Sequence, residues 1–136
     1  MTNKPAGCMP GTLAKALLEE IANWGPVTTI VLHGGSVFEF KGPFPSGSES
    51  QGFYNLAGET PGFHGHLNLE RVSHIRFQDQ PHRGRESYAF VFENDDNEVI
   101  FKIFLGREQS GELIASQKQR FKQLQAQYQK GNQNEK

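Results

Sequence analysis

A chain of 136 residues fits one domain and leaves little room for two. Its net charge of −1 argues against a strong nucleic-acid binder, which carries a basic balance, and its single cysteine, Cys8, excludes an internal disulfide and points to a reducing compartment. Only 35% of the residues are hydrophobic, so the core must be economical, and 11 Phe beside one Trp and three Tyr supply most of its bulk.

In chain order, residues 1–10 carry Pro5, Gly7 and Pro10 and read as a flexible lead-in. No charged start and apolar run precede Cys8, which argues against an export signal. Gly11–Trp24 is a helix candidate with Thr12 as its N-cap. Leu13, Leu17, Ile21 and Trp24 form its apolar stripe, and Gly25-Pro26 stops it. Val27–His33 and Ser36–Lys41 are strands joined by a two-residue Gly34-Gly35 turn. Gly42–Gln51, with two Pro and three Ser, reads as a loop.

Gly52–Leu56 and His64–Leu69 are short strands around a turn at Ala57–Gly62, and Val72–Gln78 is another. Asp79–Arg85 is a turn. Ser87–Glu93 and Glu98–Leu105 make a second hairpin. Tyr88, Phe90 and Phe92 share one face of the first strand, and Phe101, Ile103 and Leu105 share one of the second. Glu112–Tyr128 is a second helix, its stripe of Leu113, Phe121, Leu124 and Tyr128 interrupted by Gln117. The fold class is α+β: a large antiparallel β-sheet with an N-terminal and a C-terminal helix, a single domain over 11–129 and a polar disordered tail over 130–136. No stretch approaches the ~18 apolar residues that cross a bilayer, which predicts no membrane insertion.

The segment Gly52–Leu69 carries most of the chemistry, with one Tyr, two Phe and two His between glycines. In an extended chain His64 and His66 point to one face, beside aromatic rings. A zinc site needs three or four converging ligands, and these two supply only half of one. Haem asks for less, because one axial imidazole and an apolar slot suffice. Tyr54 and Tyr88 are further candidates for a haem ligand or a hydrogen-bond donor, with core packing the preferred role for Tyr88. Arg83 and Arg85 flank Gly84 at a tight turn and are the better cations for an anionic group. There is no G-x-S-x-G elbow, and the acids near Asp95 and Asp96 are explained as turn residues.

Five pieces, in this order and spacing, resemble the ChuX/HutX family of intracellular bacterial haem-utilisation proteins. They are WGPVTTIV at Trp24–Val31, FEFKGPFPSG at Phe38–Gly47, GFYNLAG at Gly52–Gly58, GHL at Gly65–Leu67 and FKIFLGRE at Phe101–Glu108. The resemblance implies a haem-binding homodimer whose fold matches one half of the larger two-repeat haem-utilisation proteins. It places His66 on the histidine of the family's GH-apolar motif, as the axial ligand to haem iron, and Tyr54 in the family's aromatic pair. A second family histidine aligns with Leu32, one residue from His33. The family's Glu-Arg-Pro-Phe-Met-Gly turn is replaced by Asp79–Gly84, DQPHRG, so its acid–base pair is gone.

The expectation is therefore a cytoplasmic haem carrier or store. His66 is the iron ligand, Tyr54 and His64 are further ligand or wall candidates, Phe53 lines the site, and Arg83 and Arg85 meet the propionates. Two rivals stand beside it: a haem-degrading enzyme fed by an external reductant, and a dimeric scaffold that binds no haem.

Overall fold

A computed structural model describes residues 5–133. Eleven regular elements follow one another: β1 (Met9–Pro10), α1 (Ala14–Ile21), β2 (Pro26–His33), β3 (Ser36–Pro43), β4 (Gly47–Ser50), β5 (Phe53–Leu56), β6 (Gly65–Leu67), β7 (His74–Asp79), β8 (Tyr88–Glu93), β9 (Val99–Leu105) and α2 (Ala115–Gln133). Six strands form one antiparallel sheet in the order β1-β7-β8-β9-β2-β3, and β4-β5-β6 form a second, smaller one. The fold is α+β with a large antiparallel sheet.

The hairpin between β2 and β3 closes as its sequence dictates. Gly34 and Gly35 both take positive φ, +59° and +79°, the pair of conformations a two-residue turn needs to follow strand twist. At the sheet centre, all six residues of β8 are buried. Phe90 pairs with Phe77 and Ile103, and Phe92 with Ile75 and Phe101, so one face of three strands is a continuous apolar floor. Phe121 of α2 lands on it, with its ring centroid 5.0 Å from Phe90, 5.2 Å from Tyr88 and 5.4 Å from Phe77. Burying each such ring contributes about 1.5–3 kcal/mol. α1 adds Ala14, Leu17, Leu18 and Ile21 to the same core.

Several expectations are corrected. Thr12 does not cap α1: Gly11–Leu13 form a 3-10 turn and the helix starts at Ala14 without a side-chain cap. Part of the lead-in is ordered. Met9 pairs with Ile75, and Cys8 and Met9 are buried. Gly11 makes this possible, since its N–H donates to Ser73 O at 2.9 Å and a Cβ on it would stand 1.8 Å from Val72 O. Residues 1–4 of the expected lead-in lie outside the described residues. The expected loop at Gly42–Gln51 contains β4, which pairs with β5 because Ser48 and Ser50 can face solvent on one side. α2 runs on to Gln133 rather than ending at Tyr128, and residues 134–136 of the expected tail lie outside the description. Gln117 does not interrupt the helix stripe; it is buried and bonds three backbone groups.

Candidate haem site

The small sheet sorts its side chains by strict alternation. Tyr54 and Leu56 of β5 point inward and are buried, while Phe53 and Asn55 point outward. Across to β6, His66 stands directly opposite Asn55, and Leu67 opposite Tyr54. His66 is therefore on the exposed face with Asn55, and its Nδ1 lies 2.6 Å from Asn55 Oδ1. Phe53 is 43% exposed, and its ring meets the imidazole edge-on at 6.2 Å between centroids.

Beside His66 opens a groove of about 350 Å³ lined by Leu67, Asn68, Leu69, Arg71, Val72, Asn94, Ile100 and Phe101. Its walls are largely apolar and it carries one cation, Arg71. His66 Nε2 has no hydrogen-bond partner among the described residues. No cluster of three or more His, Cys, Asp or Glu able to hold a bare metal ion occurs among the described residues. The donor set does fit a ligand that brings its own equatorial nitrogens, because haem iron needs only an axial imidazole from the protein.

The other sequence candidates fall in different places. His64 is exposed in the segment just before β6. Tyr54 is corrected: it faces the core on the opposite side of β5 from His66, so the two do not share a face. Burial pushes its phenol above the ordinary value of 10.0, which keeps it neutral. Arg83 and Arg85 are also not brought to His66. They border a separate groove of about 710 Å³ on the outer face of β2, β3 and β9, with Lys41, His82, Phe104 and Arg107, and the two grooves share no residue. There, Arg85 and Arg107 both donate to Gly111 O. Leu32, at the aligned position of the second family histidine, is half exposed near the β2–β3 hairpin tip. His74 is buried, with Nε2 2.7 Å from Glu93 Oε1, and serves the sheet.

Sequence reasoning missed Asn55 and ranked Arg71, one of several cations able to meet a propionate, below Arg83 and Arg85. Asn55 had a signal, since asparagine is depleted from strands and its presence inside GFYNLAG asks for a polar task. Arg71 had only its charge, because the groove it borders is built from Leu69–Arg71 together with Ile100 and Phe101 of β9.

Comparison with known proteins matches this architecture. The family described as haem utilisation ChuX/HutX matches residues 8–124. The intracellular haem transport protein HutX of Vibrio cholerae is 48% identical over 118 residues, which are 87% of this chain and 61% of that protein. The chain thus spans less than two thirds of that relative's length. The solved structure of the haem-binding protein ChuX superposes with a TM-score of 0.80 at 30% identity, over 89% of this chain and 76% of that one. The haem-degrading enzyme ChuS of Escherichia coli O157:H7 shares the fold at 18% identity and a TM-score of 0.69, with this chain covering 35% of it. The extent of the family match makes the conclusion plain: the chain belongs to the haem-utilisation ChuX/HutX family.

Proposed function

We propose that this protein binds haem through His66 Nε2 and carries it within the cytoplasm. The observation that carries the reading is an exposed imidazole at the rim of an apolar groove, held at Nδ1 by Asn55 and without a partner at Nε2 among the described residues. Leu67, Leu69 and Phe101 supply the apolar seat, Phe53 meets the imidazole edge-on, and Arg71 is the cation of the groove that pairs with a propionate. The relative named an intracellular haem transport protein supports the same role. No helix among the described residues is long and apolar enough to cross a membrane.

A homodimer is part of the proposal. β3 is an edge strand whose Val37 and Phe38 are more than half exposed, with Leu32 nearby. Unpaired apolar edges favour pairing with a second copy. Arg83 and Arg85 reach a haem on His66 only if that second copy brings them there.

Haemin titration tests the reading. A Soret band that saturates near one haem per chain, and that shifts or weakens in His66→Ala, supports it. An unchanged spectrum and affinity in the variant removes His66 as ligand. Light scattering at twice 15.3 kDa supports the dimer, and scattering at 15.3 kDa overturns it.

A further inference from the structure

The pairing of β5 with β6 settles which nitrogen of His66 carries the proton. Asn55 Nδ2 lies 3.2 Å from the carbonyl oxygens of both Ser50 and Phe53, and 3.4 Å from that of Ser48. Flipping the amide would set Oδ1 against those three carbonyls, acceptor against acceptor. One orientation is therefore selected. In that orientation Oδ1 faces His66 Nδ1 at 2.6 Å. A carboxamide oxygen only accepts, so in the neutral ring Nδ1 is the N–H that donates and Nε2 holds the lone pair.

We propose that Asn55 is the positioning residue of the haem site: it selects the Nε2-ligating tautomer of His66 and, as a neutral amide, keeps the imidazole a moderate donor from which haem can leave. The proposal rests on His66 being the axial ligand. The partner of the outer ring N–H sets both the ring orientation and the basicity of the ligating nitrogen. A carboxylate at this position would polarise Nδ1–H more strongly, because bonds to ionised acceptors are roughly twice as strong as neutral ones. The ligand would then hold iron harder. A storage or catalytic site gains from that, whereas a carrier has to give its cargo up.

Asn55 also has a structural duty that the test must separate from this one. Gln51 and Gly52 take positive φ, +55° and +83°, in the turn between β4 and β5, and the Asn55 amide bonds the carbonyls on both sides of that turn. Truncation loosens the turn as well as the imidazole. Two variants are therefore needed, both of which loosen the turn: Asn55→Ala, which removes donor and acceptor, and Asn55→Asp, which sets a carboxylate oxygen against the turn carbonyls but keeps an acceptor for His66.

The full chain carries the experiment. Nitrogen-15 NMR of the imidazole in haem-free protein reads the His66 tautomer directly. Haemin titration reads affinity, and transfer to excess apomyoglobin reads release. In Asn55→Ala the excess of the Nδ1–H form should disappear and haemin affinity should fall about tenfold or more. In Asn55→Asp the Nδ1–H form should persist and haem transfer should slow at least severalfold. Persistence of the Nδ1–H excess in Asn55→Ala overturns the proposal, and so does Asn55→Asp transferring haem as fast as the native chain. If Asn55→Ala fails to fold, Asn55→Asp decides alone. His66→Ala separates the two levels. If it leaves haemin binding untouched, the ligand assignment fails. If it abolishes the native spectrum while both Asn55 variants behave as the native chain, only the role of Asn55 fails.

Discussion

Gly106 and Gln117 are joined by a buried hydrogen bond, Gly106 N–H donating to Gln117 Oε1 at 2.7 Å. The other end of the same amide donates to Pro26 O at 2.9 Å and Trp24 O at 3.1 Å. One side chain of α2 thus ties the end of β9 to the start of β2 and to Trp24 in the turn after α1. Gly106 is required at this point, because a Cβ on it would lie 1.9 Å from Pro26 O.

Replacing Gln117 by Leu keeps volume and helix propensity but removes the partner of one buried backbone group, Gly106 N–H, and of two part-buried carbonyls. An unsatisfied buried group costs about 1–3 kcal/mol, so the variant should lose about that much. Urea unfolding measures it. A loss below about 1 kcal/mol would show that water replaces the amide and that the clasp is dispensable.

Tyr54 and His66 sit on opposite faces of the small sheet, and this separates two ligand hypotheses cleanly. Tyr54→Phe should leave haemin affinity and the Soret band as in the native chain, while His66→Ala alters both. Stability of Tyr54→Phe should match or exceed that of the native chain, because the buried hydroxyl it removes has no hydrogen-bond partner. A haem-binding defect in a folded Tyr54→Phe protein would count against the inward placement of the phenol.

The elements were largely readable because their signals are local. The Gly34-Gly35 turn and the alternating apolar residues of β8 and β9 each specify a backbone state without help from distant residues. The site was half readable. His66 stands out by residue type, but its inequivalence with Tyr54 depends on strand register, which a single segment does not announce. Within one protomer Arg83 and Arg85 border a different groove from His66, and the reason is of another kind. A charged turn shows its charge in the sequence, yet which groove it borders is decided by the strand order β9-β2-β3 beneath it. Gln117 looked like a fault in an apolar stripe because its three partners are backbone groups, which leave no mark in composition.

Gly11 holds the lead-in against the main sheet. Adding a methyl there places it 1.8 Å from Val72 O and 2.9 Å from the Ser73 carbonyl carbon, both backbone atoms that cannot swing aside. Gly11→Ala should therefore cost about 1–3 kcal/mol, as overpacking does. It should also expose Cys8, which is 2% accessible in the native chain. Thiol labelling under native conditions reads this, with faster modification in the variant expected. Equal labelling rates would mean that the lead-in keeps its seat by another route.

Asp79, at the end of β7, receives Lys122 Nζ at 2.9 Å and Gln125 Nε2 at 3.2 Å on one carboxylate oxygen, which fastens α2 to the sheet. The Lys122 bond holds the Asp79 carboxyl below its ordinary value of 3.8. A carboxyl depressed in the folded state binds its proton more readily when unfolded. Its stabilisation is therefore fully present above about pH 4 and is lost as pH falls through the depressed folded value. The pair is well exposed, so the contribution at neutral pH should be below about 1 kcal/mol. Asp79→Asn keeps an acceptor for Gln125 but removes the charge. Urea midpoints of the two proteins should differ at pH 7, in favour of the native chain, and the gap should close as pH falls below the ordinary carboxyl value. A gap that persists unchanged into acid would assign the difference to packing rather than to the carboxylate.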